Sequence, residues 1–140
     1  MDILSIPFHK YLNIKRSGIS NYIFEIEVRP EYHNHLGTIH ACVQLSLAEA
    51  SSGEFLLQEF RDLKDVLIPV VRRSEAKYNK PAKGNLYTKA KFLHSSRKEI
   101  YDNLINKNRA LVQVLVTVVD EEENKIATVI FDWFIKKVSI

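Results

Sequence analysis

The chain has 140 residues, 46% of them hydrophobic and 26% charged, which are the proportions of a soluble globular protein and exclude wholesale disorder. At this length it is expected to be one domain spanning 1–140, burying roughly 68 to 70% of its unfolded surface and needing no metal or disulfide staple. A net charge of +3 does not demand a polyanionic partner, and a single cysteine allows no internal disulfide and fits a reducing, cytoplasmic setting.

Residues 2–14 are moderately amphipathic and predict a helix or an N-terminal arm reaching to about residue 20. They lack the apolar core of a signal peptide, and nowhere does the chain approach the roughly 18 apolar residues of a membrane span. No membrane partner is expected. Tyr22, Phe24, Ile26 and Val28 alternate with Ile23, Glu25 and Glu27, the period of a half-buried strand, which Arg29-Pro30-Glu31 ends. Ile39 to Ser52 follows as almost four helical turns, with Gly53 placed to cap the C-terminus. Its apolar residues run nearly all the way round, so it predicts a central helix covered on several sides.

From Val66 the pattern turns to strands: Val66 to Asn79, a Pro81-Ala82-Lys83-Gly84 turn, then Leu86 to Leu93. Ser96 and Glu99 form a capping box that opens a short helix carrying Ile100, Leu104 and Ile105 to about Lys107. Ala110 to Val119 and Ile126 to Lys136 complete the chain, joined by the acidic turn DEEENK. The order β, buried helix, β, β, short helix, β, β predicts an α+β fold, an antiparallel sheet wrapped round one long central helix. A helix this apolar leaves surface for a second copy of the chain.

Nine Lys and Arg residues lie between Arg72 and Lys98 against one carboxylate, Glu75. The stretch reads either as a solvated sheet edge or as a landing site for a phosphorylated ligand. It has too few aromatics to stack bases, so no nucleic-acid partner is expected. His33, His35 and His40 lie close in sequence but lack the H-E-x-x-H spacing of a zinc site, and no metal is expected. Cys42, two residues from His40 and about 200° away on a helix, reads as a small core residue.

The run Asn34-His35-Leu36-Gly37-Thr38-Ile39-His40-Ala41-Cys42, followed by Leu47-Ala48-Glu49, resembles the signature of hotdog-fold thioesterases of the phenylacetate-degradation type and of acetyltransferase-associated C-terminal thioesterase-like domains. In those families an Asn precedes a Gly-Thr-hydrophobic-His-Gly-Gly turn, and an acidic residue follows within Leu-Ala-Asp or Leu-Ala-Glu. Tyr78-Asn79-Lys80-Pro81-Ala82-Lys83-Gly84 is similar to the Tyr-x-x-Pro-Ala-x-Gly turn of the same families, and the resemblance covers roughly 21–137.

The resemblance implies a hotdog fold and hydrolysis of acyl-coenzyme A or acyl-carrier thioesters, with coenzyme A part of the substrate and no separate cofactor. It assigns Glu49 as base or nucleophile, the Ala41 N–H at the helix start as oxyanion donor, and Asn34 to orient water or carbonyl. Gly37 and His40 would border the substrate, and Lys80, Lys83 or Arg97 would meet the nucleotide phosphates. The partners implied are a small-molecule thioester and a second copy, as a homodimer or a dimer of dimers.

Spacing adds a constraint of its own. Ala41 and Glu49 are eight residues apart, about 12 Å along a helix, so one carbonyl cannot touch both, and the helix start of one subunit must meet Glu49 of another. Read without the resemblance, Glu49 is a helix carboxylate and Asn34 an Asx turn or cap. Burial raises the pKa of Glu49 and a nearby donor lowers it, leaving the direction open. Two positions depart from the family pattern. Ala41-Cys42 replaces Gly-Gly and narrows the channel for the pantetheine arm, and Val71 stands where some relatives carry Ser or Thr. These departures point to the alternative of an acyl-thioester binding or sensing protein with weak or no turnover.

Overall fold

The computed structural model describes residues 1–139. Alternation of side chains builds its two central strands. In β5 (Arg109–Val119) the alternating residues Ala110, Val112, Val114, Val116 and Val118 are buried, and in β6 (Lys125–Lys137) so are the alternating residues Ala127, Val129, Phe131, Trp133 and Ile135. Their ladder runs from Arg109 opposite Lys136 to Val119 opposite Lys125, so both apolar rows fall on one face.

Around this pair the sheet is completed by β4 (Leu86–Leu93) beside β5 and by β3 (Leu67–Tyr78) beside β6. The short β2 (Phe24–Ile26) lies beside β4 and β1 (Lys15–Arg16) beside β2, giving the order β1-β2-β4-β5-β6-β3 with every pairing antiparallel. The long strand β3 is therefore an edge strand. Its register shifts between Val71 and Arg73, leaving Arg72 as a bulge.

Across the buried face lies the helix α2 (Ala41–Glu59), in contact with β2, β3, β4, β5 and β6. Leu47, Leu56 and Phe60 are fully buried beneath the sheet, each contributing about 1.5 to 3 kcal/mol. Polar ties fix its position: Ser51 Oγ lies 2.7 Å from Thr88 Oγ1 on β4, and the Trp133 indole donates to Ser52 Oγ at 3.0 Å. A sheet wrapped round one long helix is the hotdog fold, as the sequence predicts.

The remaining elements are short. Residues Ile3–Ser5 form a 3-10 turn, α1 spans Pro7–Tyr11, and Leu12 and Ile14 carry the chain into the core. The Tyr32 hydroxyl donates to the Leu12 carbonyl and pins this arm. Helix α3 (Arg97–Lys107) begins at Ser96, whose Oγ accepts the Glu99 N–H at 3.1 Å, and ends at Asn108 in the left-handed conformation with φ of 57°. Ile100 and Leu104 are buried there, while Ile105 is exposed because it lies about 100° round the helix from Leu104, off the buried stripe.

Several expectations are corrected. Gly53 does not end the central helix, which continues through Glu59; a Cβ on Gly53 would stand 3.3 Å from Ile3 Cδ1 and 3.7 Å from the Trp133 ring, so the glycine admits the N-terminal arm. The strand expected over Tyr22 to Val28 is only Phe24–Ile26, because the Val28 N–H is taken by Asn85 Oδ1 at 2.9 Å instead of a ladder partner. The basic stretch is divided, with Arg72, Arg73 and Lys77 on the exposed edge strand and Lys89 and Lys91 on inner strand β4, exposed on the sheet's outer side. No described helix is long and apolar enough to cross a membrane.

Candidate active site at two clefts along the central helix

The first cleft forms where the chain turns into α2. Asn34 organises that turn: its Oδ1 accepts the N–H groups of Leu36 (2.9 Å) and Thr38 (3.1 Å), and its Nδ2 donates to Thr38 Oγ1 at 2.9 Å. Gly37 closes it with φ of 73°, where a side chain would be strained, and nothing lies within 4 Å of where its Cβ would be. The turn thus presents open backbone to the outside.

His40 caps the helix. Its Nδ1 accepts the Cys42 N–H at 2.9 Å, which requires the ring proton on Nε2, and its carbonyl accepts from Val43 and Gln44. Among the described residues the Ala41 N–H has no acceptor, and it stands at the positive end of the helix dipole. The cleft in front of it, about 280 Å³, is lined by Asn34, Thr38, Ala41, Gln44, Tyr78 and Lys80, among others. The two sequence motifs meet here, since the Ile39 N–H donates to the Ala82 carbonyl at 2.8 Å.

The second cleft, about 170 Å³, lies two turns further along α2 and contains Glu49. Its walls are apolar: Ile3, Ile6, Pro69, Val71 and Trp133. One residue breaks that pattern. His9, buried in α1, places Nε2 at 3.6 Å from Glu49 Oε2 and Nδ1 at 2.8 Å from the Ile3 carbonyl. Burial pushes the Glu49 carboxyl above its ordinary pKa, and the charge and hydrogen-bonding capacity of His9 pull it back; burial prevails. A carboxylate so placed is a better base than one in water.

The structure therefore gathers Asn34, Ala41 and Lys80 at one cleft, with Gly37 and His40 in the adjoining turn, and sets Glu49 apart in another. Lys83 is exposed in the docked Pro81-Ala82 turn. Arg97 is elsewhere, at the C-terminal end of α2, where Nε donates to the Glu59 carbonyl at 2.8 Å and the guanidinium stacks 5.6 Å above Phe60 and Tyr101. Cys42 is exposed and not a core residue, because it lies about 200° round α2 from buried Gln44. Sequence reasoning missed His9, since nothing local in Pro7-Phe8-His9-Lys10 marks it. Among the described residues no three of His, Cys, Asp and Glu converge.

The sequence model of the domain of unknown function DUF4442 matches residues 16–135. The chain belongs to that family. No functionally curated protein matches this DUF4442 chain in sequence. Among solved structures it is similar to a Pseudomonas aeruginosa protein of unknown function described as a probable thioesterase, at 18% identity and a TM-score of 0.80, over 97% of this chain and 91% of that one. It is similar to a Bacillus halodurans protein solved with CoA, at 19% identity and a TM-score of 0.70, over 91% and 74% of the two chains. A third likeness is to a Staphylococcus aureus thioesterase solved with a glutamine replaced by alanine, at 14% identity and a TM-score of 0.71, over 92% and 98%. That protein was also solved with a glutamate replaced by alanine. At these identities the DUF4442 chain shares the fold.

Proposed function

We propose that the protein is an acyl-CoA thioesterase acting as a homodimer, in which Asn34 and the Ala41 N–H of one subunit face Glu49 of the other. The observation that carries the reading is Glu49 itself, a carboxyl made more basic by burial in an apolar cleft. The thioester oxygen accepts from Ala41 N–H, which has no other acceptor among the described residues. Glu49 takes a proton from water as its oxygen attacks the carbonyl carbon, and the products are a carboxylic acid and the free thiol.

Two features support the pairing of subunits, and a third supports the choice of Asn34 and Glu49. Eight residues separate Ala41 from Glu49, about 12 Å of helix, and each lines its own cleft. Strand β3 pairs on one side only and exposes Ile68, Val70 and Val71, an open edge suited to a second copy. In the Staphylococcus aureus thioesterase the replaced glutamine and glutamate stand fifteen positions apart, the separation of Asn34 and Glu49 here. Lys80 at the Asn34 cleft and Lys83 in the docked turn supply cations for the phosphates of coenzyme A, whereas Arg97 stands at the far end of α2, bonded to the Glu59 carbonyl.

A second reading, an acyl-thioester binding or sensing protein with little turnover, is favoured by two observations. Val71 stands in the Glu49 cleft where a hydroxyl would assist the base, and the Asn34 side chain is already engaged within its own turn. Free-thiol release from a panel of acyl-CoA substrates separates the two. The enzyme releases thiol and Glu49→Gln does not, while the dimer persists. Equally slow release by both proteins, with saturable acyl-CoA binding, establishes the sensor.

A further inference from the structure

His9 lies forty residues before Glu49 in sequence, yet it is only 6% exposed and shares the Glu49 cleft. A carbonyl oxygen accepts hydrogen bonds and cannot donate them, so the 2.8 Å contact with the Ile3 carbonyl places a proton on Nδ1. In the neutral ring Nε2 then bears a lone pair, and it faces Glu49 Oε2. An ionised Glu49 opposite that lone pair would set two acceptors against each other in an apolar cleft, a costly arrangement. One proton therefore belongs in the gap, on Nε2 or on Oε2. The separation of 3.6 Å exceeds a hydrogen bond, the length of a catalytic contact that tightens only around substrate. Apart from the α-amino group of Met1 at the rim, the other residues lining this cleft carry no ionisable group.

We propose that His9 is the positioning residue of the Glu49 base: as an imidazolium it donates to Oε2 and holds the carboxylate, leaving Oε1 free to take a proton from water. The reactive form of the site is then the pair holding a single proton. As water attacks, one of its O–H bonds breaks, the proton passes to Glu49 Oε1 and the oxygen bonds the thioester carbon. When the C–S bond breaks, its electron pair leaves on sulfur and the proton returns from Glu49 to the thiolate. His9 keeps its proton throughout. With a second proton in the gap Glu49 is no longer a base; with none, the carboxylate and the imidazole no longer hold each other.

This inference rests on Glu49 being the base of the proposed thioesterase, and the test separates the two. The pH dependence of kcat/KM for thiol release is measured for the native protein, His9→Gln, His9→Asn and Glu49→Gln, each checked for native circular dichroism and dimer mass. The native profile is bell-shaped. Gln keeps a permanent amide donor toward Glu49, so His9→Gln retains a substantial part of the rate and loses the descending limb. Asn reaches the Ile3 carbonyl but not Glu49, so His9→Asn loses about tenfold or more and its ascending limb moves to higher pH. Nitrogen chemical shifts of His9 in the native protein, which need no variant to fold, show Nδ1 protonated throughout and Nε2 losing its proton with the descending limb. Native-level release by Glu49→Gln overturns the base reading itself. Loss of release in Glu49→Gln with unchanged limbs in both His9 variants, or a His9 Nδ1 that carries no proton, overturns the role of His9 alone.

Discussion

The Ile39 N–H donates to the Ala82 carbonyl at 2.8 Å, tying the turn that leaves β3 to the segment that starts α2. Ala82 is 1% exposed, so this junction is packed as well as bonded. Enlarging it overpacks the site. Ala82→Leu costs about 1 to 3 kcal/mol in urea unfolding and displaces the Asn34 turn, so acyl-CoA binding weakens with it. Full stability in that variant would show the junction to be loose.

Gly53 supplies a second packing test. An added methyl sits 3.3 Å from Ile3 Cδ1, the end of a side chain able to shift, and alanine also gains up to about 1 kcal/mol of helix propensity over glycine. Gly53→Ala therefore stays within about 1 kcal/mol of native stability. Gly53→Val puts further methyls against Ile3 and Trp133 and costs about 1 to 3 kcal/mol. Urea midpoints of the two variants check the contrast; equal values would contradict it.

Glu49 makes stability depend on pH in a definite sense. Its carboxyl titrates higher in the folded chain than the ordinary value of 4.5, with burial as the leading cause. The folded state thus binds more protons, and the stabilisation from that protonation is complete below 4.5 and lost as pH rises through the raised value. Glu49→Gln lacks this loss. Its melting temperature exceeds the native one above that window and the two converge in acid, by a small margin because the side chain is 34% exposed. A variant less stable than native at neutral pH would show that the ionised carboxyl holds the fold together.

Asn34 separates a turn role from a site role. Asn34→Ala frees the N–H groups of Leu36 and Thr38 and costs about 1 kcal/mol or more of stability. Asn34→Asp keeps both acceptances and loses only the donation to Thr38 Oγ1, so it stays close to native stability. If the carboxamide orients water or carbonyl, Asn34→Asp still loses thiol release. Native rates in that variant would reduce Asn34 to a turn former.

Local chemistry made much of the fold legible. Leu86–Leu93 is a strand over the bounds expected after the Pro81–Gly84 turn, and Ser96 Oγ caps α3 by accepting the Glu99 N–H, the forward half of the box. Helix α2 reads too short because Ser51-Ser52-Gly53 has the composition of a helix end; the buried contacts of Ser51 to Thr88, Ser52 to Trp133 and Gly53 to Ile3 override it. Strand β1 has two exposed residues, too few to show a period. At the site, the turn and the helix start were readable from residues adjacent in sequence. His9 was not, because its contact with Glu49 is made only when the N-terminal arm folds back over α2.

Mixing two inactive variants asks most directly whether one site is assembled from two chains. Asn34→Ala dimers are damaged at the helix start and Glu49→Gln dimers at the base. When the two are unfolded together and refolded as mixed dimers, one site in each heterodimer regains both native residues, and roughly a quarter of native thiol release returns for random pairing. A mixture of confirmed heterodimers no more active than its parents would contradict a site shared between subunits.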